Sequence, residues 1–452
     1  MDRMARTSRC KCDLPIPNCF LLAAWAARIL ILVSFISIPF NGLSGFNQDN
    51  CQARRNAMKR NLNLLILLLV IAIAVGMFAV AWYVPNALPS GSDFSAIYNT
   101  DLALVNRIPI YDLPRVEAFA EQRSGIPPEK FFLARFPYPP WYALSTFYLG
   151  LLPANVAVTL WFELNLGMLF LSVWFLTDGW SGRLRLIAFP LALFFLPVLG
   201  ALSVGQYDFP VLLGTSMLIY ALRKENVALT TLGAVLLTFK PHIGALILLT
   251  VLGWLIASRS SFGRGALRSV LGAGVFLFLV GFIADPAWPI SYPKMLLSYQ
   301  NEGNVSACSE CASLPVWSSR WLSDGSLTSA IWIALVLLIL FGSLFYSIRS
   351  SVRSHELLLG AATLVTLLAS PYLYNYDYLL LLVPFTALLN RGNLLQKIIV
   401  VICYLIPTFL IIIYGRAGNI SLLLVTVVMT SLLYLRIRRP RKPIIDFTAP
   451  AA

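Results

Sequence analysis

Apolar runs long enough to enter a bilayer recur along most of this chain. They lie at about 63–84, 154–177, 184–204, 208–222, 227–239, 242–257, 267–284, 327–348, 355–370, 373–389, 395–414 and 418–435. Only helices or a closed β-barrel satisfy every backbone N–H and C=O inside lipid. The runs are continuous rather than alternating in polarity, which argues against a barrel. They predict an all-α polytopic membrane protein of about 12 transmembrane helices. Several runs are shorter than the ~20 residues that a perpendicular helix needs, so paired helices joined by tight turns are expected. Residues 139–152 are apolar but shorter still, and Pro139 and Pro140 open them. They read as an interfacial or re-entrant helix.

Charge then orients the runs. The chain is 58% hydrophobic and only 12% charged, against about 25% charged in a soluble domain. Its net charge of +14 therefore reads as loop lysine and arginine on the cytoplasmic side rather than as a nucleic-acid surface. Arg54, Arg55, Lys59 and Arg60 precede the first of the twelve runs. Threading from that cytoplasmic start brings the later basic clusters between spans, and the one after the last span, to the same side. These are Arg183 and Arg185, Arg223 and Lys224, Arg259, Arg264 and Arg268, Arg349 and Arg353, Arg391 and Lys397, and the tail "RIRRPRK".

Residues 1–57 fit this pattern less well. The stretch 20–38 resembles a span or a signal core, yet crossing there would push Arg54–Arg60 outside, and Met58 begins a plausible start of its own. The expected organisation is an extension over 1–57, a membrane domain over 58–437 with outer loops 85–153 and 285–326, and a cytoplasmic basic tail over 438–452. Cys308 and Cys311 share the second loop as a CxxC pair. No second pair or histidine set completes a zinc site, which leaves a local disulfide or two thiols.

The opposite, outer side receives most of the unusual polar residues. "GSDFSAIYNTDLAL" brings Asp93 and Asp101, "RFPYPPWYAL" brings Arg135, Tyr138 and Trp141, and "GQYD" brings Gln206 and Asp208. "FKPHIG" adds Lys240 and His242, and "SPYLYNYDYLL" adds Asn375 and Asp377. Ionisable groups at membrane depth tend to face a cavity and mark function. Each also has an ordinary explanation. Asp93 can be a helix cap, Lys240 a snorkelling side chain, His242 a structural hydrogen-bonder, and Asp377 the partner of a nearby cation. Tyr378 reads as part of an aromatic belt, and Asp101, at i+8 from Asp93, as a solvated neighbour. No GxxxxGK[ST], DxD, GxSxG or HExxH motif is present. An ATP-driven pump is therefore not expected, nor is a donor held through a metal-bound diphosphate, and no cofactor or metal site is called.

The motifs "SDFSAIYNTDLALVNRIPIYDL", "FPYPPWYAL", "GQYDFPVLLG", "FKPHIGALIL" and "SPYLYNYDYLLLLVP" occur in the order found in glycosyltransferase family 87. The chain resembles that family from about Asn61 to Arg436. The resemblance implies a GT-C-like helical enzyme of the plasma membrane with its site on the outer face. It further implies transfer of mannose or another hexose from a polyprenyl-phosphate donor to a lipid or glycan acceptor, with inversion. By the same resemblance Asp93 matches the general base, Lys240 the lysine of a K-P-[QH] motif, and Gln206 the glutamine of the GQ pair. The family often carries a histidine in its S-P-x-x-x-x-x-D segment, where this chain has Tyr372, Tyr374 and Asn375.

These residue types suit such chemistry. A carboxylate at Asp93 can take the acceptor hydroxyl's proton. Lys240, with Arg135 or His242, can stabilise the departing lipid phosphate. Tyr138 and Trp141 offer flat amphipathic faces to a sugar, while Gln206, Asp208, Asn375 and Asp377 can orient sugar hydroxyls or the lysine. Two other readings use the same polar residues: a transporter or flippase, and a ligase or polymerase of lipid-linked glycans.

Overall fold

A computed structural model describes residues 92–124, 135–302, 311–321, six positions between 334 and 345, 354–370 and 373–438. All of them belong to one compact unit, Ala81–Ala452. The expected extension 1–57, the first apolar run, Cys308, Tyr372 and the basic tail lie outside the described residues, as does most of the run 327–348.

The described regular structure is helical throughout. Helices α1 (Asp93–Val105) and α2 (Leu113–Ser124) precede the short α3 (Pro140–Thr146), which continues as a 3₁₀ turn over Phe147–Leu151. Helix α4 (Ala154–Leu176) is followed by α5 (Gly182–Leu193) and α6 (Leu196–Val204), then by α7 (Asp208–Lys224) and α8 (Val227–Leu237). Next come α9 (Pro241–Ser258), α10 (Ser261–Ala284), α11 (Trp288–Glu302) and α12 (Leu314–Trp321). The last part holds α13 (His355–Ala369), a 3₁₀ helix over Asn375–Leu381, α14 (Leu382–Arg391), α15 (Leu394–Tyr414) and α16 (Ile420–Arg438).

By length and hydropathy, four described segments can cross a bilayer, or five if the bent pair α5–α6 is one span. They are α4, α9, α10 and the 44-residue run Leu394–Ile437. That last run folds back on itself, because Gln396 near its start donates from Nε2 to the Leu432 carbonyl, 3.3 Å away near its end. The pair α5–α6 bends by 58°. Pro197, at the start of α6, has no N–H to continue α5, so the chain starts a new helix there.

Two helices form the centre. Along α7 only Tyr220, Arg223 and Lys224 escape burial, and on α13 every residue from Glu356 to Leu368 is buried. Apolar residues on all sides of a helix demand burial on all sides. Helix α7 packs against α4 and α8. The α7–α8 contact is close because a Cβ on Gly214 would stand 2.7 Å from the Gly233 carbonyl oxygen. Outer helices instead expose apolar faces, with Val275, Phe276, Leu279 and Ile283 of α10 all well exposed, as lipid contact requires.

Helix α7 also separates two sets of charges. At its C-terminal end Arg223 reaches Asp178 at 2.8 Å and Glu356 at 2.7 Å, and Arg391 meets the same glutamate at 3.2 Å. Trp180 donates to Asn390 beside them. At its N-terminal end, about 25 Å away by helical rise, Asp208 meets a different set. Arg223 and Arg391, which the threading assigns to one face, thus share one cluster, and the outer-face candidates gather at the other end.

Candidate functional site

The outer-face candidates come together through three local devices. The first is the start of α1. Ser92 is the N-cap, accepting from the Ser95 amide at 3.4 Å, so Asp93 is the first helical residue and its carboxylate is not used as the cap. The second is Gly205, the left-handed cap of α6 with φ of 69°. A Cβ there would lie 2.7 Å from Phe94 Cβ, so only glycine lets this turn approach α1. Trp161 pins the turn by donating to the Gly205 carbonyl at 2.9 Å. The third is Pro241, which opens α9 and leaves Lys240 as its N-cap.

These devices build two neighbouring hydrogen-bonded groups, joined through the chain at Tyr207 and Asp208. Gln206 Nε2 donates to Asp93 Oδ2 at 2.7 Å, and Gln206 Oε1 accepts from the Tyr207 amide at 3.0 Å. Tyr207 in turn donates its hydroxyl to the Asp93 backbone carbonyl at 2.8 Å. Alongside, Lys240 Nζ donates to Asp208 Oδ1 and Asp377 Oδ1, each at 2.6 Å. Asp377 Oδ2 accepts from the Tyr374 amide at 2.7 Å, and the Tyr376 ring lies 5.4 Å from Nζ. Lys240, Asp208 and Asp377 are all buried, at no more than 2% exposure. Lys240 is therefore the hub of a buried ion triad, not a snorkelling side chain.

Asp93 is only half-buried by exposed area. Loss of hydration still dominates its electrostatics and lifts its carboxyl to about 6, against the opposing charge of Lys240; Asp377 raises it further, and the Gln206 bond lowers it. Its Oδ1 accepts no hydrogen bond from the described protein.

The remaining candidates surround the network. Tyr138 is buried with its ring 4.1 Å from Tyr207, in a cluster with Phe136, Tyr142 and Phe239. Trp141 is half-buried, donates to Thr238 Oγ1 at 2.9 Å and meets Trp288 edge-on. His242 is half-buried two residues beyond Lys240, and Arg135 is half-buried in the segment leading to α3. Asn375 opens the 3₁₀ helix that carries Asp377 and is half-buried.

Two expectations are corrected. Tyr378 is not in an aromatic belt; it is fully buried and donates to the Ala312 carbonyl at 2.6 Å. Asp101 is not solvated, for it has no exposed surface at all. Tyr207 and Tyr376 are additions that the sequence reading missed. The GQY triplet held the signal for Tyr207, since a residue beside a left-handed glycine cap is aimed by that turn. In the second loop Cys311 is disulfide-bonded, its partner lying outside the described residues, while Cys403 is a buried free thiol. Among the described residues no group of three or more His, Cys, Asp or Glu side chains is arranged as a metal ligand set.

The family model for glycosyltransferase family 87 matches residues 136–371, a little over half of the chain. Asp93 and Asp377 lie outside that match, yet the network joins both to residues within it. No curated protein and no solved structure matches this chain. With its helical architecture, its spans and this match, the chain belongs to glycosyltransferase family 87 and is a membrane glycosyltransferase.

Proposed function

We propose that the protein transfers a hexose, with mannose the first to try, from a polyprenyl-phosphate donor to a lipid or glycan acceptor at the outer face of the plasma membrane, inverting the anomeric centre. The observation that carries this reading is the state of Asp93. Gln206 fixes one carboxylate oxygen, no described residue donates to the other, and the carboxyl group is lifted to about 6 by burial. That describes a base ready to accept a proton near neutrality.

In the proposed step the acceptor hydroxyl attacks the anomeric carbon as its proton passes to Asp93 Oδ1. The bond from that carbon to the phosphate oxygen breaks, and its electron pair leaves with the polyprenyl phosphate. An ammonium has three N–H donors. Asp208 and Asp377 occupy two on Lys240, and the third is assigned to the phosphate, with His242 and Arg135 as further donors. Asp208 and Asp377 then act by aiming Lys240. Trp141 and Asn375 are placed at the sugar and acceptor, and Tyr138 supports them from within the aromatic cluster. Intramembrane charge also suits transport, but family membership favours group transfer.

The test is incubation of purified protein with a panel of radiolabelled polyprenyl-phosphate hexoses and membrane lipids. A labelled product that depends on Asp93 supports the reading. Movement of label across vesicles without covalent product, or transfer of a preassembled glycan block, would replace it.

A further inference from the structure

Asp101 belongs to the same helix as Asp93 but lives in a different environment. It is fully buried on α1, sealed by the 3₁₀ turn, where a Cβ on Gly150 would stand 2.5 Å from the Asp101 carbonyl carbon. Its Oδ1 lies 3.1 Å from Thr146 Oγ1, and its Oδ2 is buried without a hydrogen-bond partner. Among the described residues it forms no ion pair. The titratable groups that face it are the phenols Tyr142 from α3 and Tyr148 from the 3₁₀ turn, neither of which carries positive charge.

The contacts of Thr146 bear on the protonation state. Its Oγ1 sits 3.1 Å from Asp101 Oδ1, 3.2 Å from the Tyr142 carbonyl and 3.3 Å from the Ala143 carbonyl. A threonine hydroxyl has one proton and two lone pairs. Both carbonyls are acceptors only, so a proton directed to the helix turn, as threonine commonly directs it, leaves Oγ1 as an acceptor toward Asp101. In that arrangement the 3.1 Å contact needs its proton from Asp101. An ionised carboxylate would instead leave half its charge on an unpartnered buried oxygen, which protein interiors avoid. Burial pushes the group the same way, well above the ordinary carboxylate range; only a proton donated from Thr146 to Asp101 would oppose that shift.

We propose that Asp101 is held as a neutral carboxylic acid that donates to Thr146, tying the helix of Asp93 to α3 and so positioning Asp93 for the transfer reaction. Two carboxyl groups two turns apart on one helix thus take opposite roles, one ionised at the site and one protonated behind it. The positioning role rests on the function proposed above; the protonation state does not.

Infrared difference spectroscopy of the full-length protein in detergent at neutral pH separates the two. Wild type minus Asp101→Asn is expected to reveal a carboxylic-acid carbonyl band, and Thr146→Val in the wild-type background should move that band without removing it. Absence of such a band overturns the proposal, whatever the enzyme turns over. In the transfer assay Asp101→Asn, which keeps an N–H donor, should rescue activity to within about twofold of wild type. Asp101→Val, at equal folded fraction, should lose at least tenfold in kcat with donor KM unchanged. Equal loss in both variants, or loss in neither, overturns the positioning role. A wild type that transfers no sugar would count against the function alone and leave the infrared result standing.

Discussion

Gln206 Nε2 lies 2.7 Å from Asp93 Oδ2, a bond between residues 113 positions apart that joins the cap of α6 to the first turn of α1. No described residue donates to the second oxygen of Asp93, so the carboxylate has a held side and an open side. Most consequences that can be measured follow from this division.

Asp93→Asn keeps the shape and the Gln206 contact but removes the base. Transfer should fall by roughly 10²–10⁴-fold, the usual contribution of a general base, while thermal unfolding in detergent stays near wild type. Turnover within a few fold of wild type would assign the base elsewhere.

The pH profile follows from the raised carboxyl of Asp93. The ionised form is the base, so activity should be full above about 6 and fall as pH drops through that value. Because the Gln206 bond favours the ionised form, Gln206→Leu should move this acid limb to higher pH. The kcat/KM profile of both proteins checks the sign of the shift.

Lys240→Met removes the counter-ion that Asp208 Oδ1 and Asp377 Oδ1 share. Breaking a buried ion cluster from one side costs about 3–5 kcal/mol, so this variant should unfold well below wild type. Adding Asp208→Asn and Asp377→Asn removes the stranded charges and should recover much of the stability without recovering transfer. A single variant as stable as wild type would mean the triad is open to water.

Gly205→Ala tests the turn. The left-handed backbone costs a residue with a Cβ about 1–2 kcal/mol, and the added carbon meets Phe94 at 2.7 Å. Relief of that clash moves Gln206 away from Asp93, so activity should fall further than stability does. Kinetics and melting of the same preparation decide it.

Arg223→Ala is the control at the far end of α7. It removes one of the two cations on the buried Glu356, Arg391 remaining at 3.2 Å, and Arg223 itself is partly exposed, so the cost should be about 1–3 kcal/mol, between the surface and buried limits. Activity per folded molecule and the acid limb should not change.

The apolar periods and the basic loops made the helical class legible, and they separated the two ends of α7 without any coordinates. The identities of Asp93, Gln206, Asp208, Lys240 and Asp377 were also legible, because charge at a span end is costly enough to stand out. Their bonds were not. Asp208 reads as orienting either sugar hydroxyls or the lysine, and pairing across 32 positions leaves no local pattern to choose between them; the bond to Lys240 does. Asp101 was misread because a carboxylate near a loop has a polar prior, and only the fold of 147–151 over it reveals burial. Tyr378 failed for the same reason: a tyrosine-rich stretch looks interfacial until its hydroxyl finds Ala312 inside. The span count depends on how short runs such as 227–239 are treated, and hydropathy alone does not decide that.

The lysine hub has a further consequence for biosynthesis. Lys240 and Asp377 are 137 positions apart, so a nascent chain that has delivered α9 to the membrane carries an ammonium with one carboxylate and an unfinished site. The second carboxylate arrives only with Asp377, within the last quarter of the polypeptide. A product terminated before Asp377 cannot complete the lysine's ion triad.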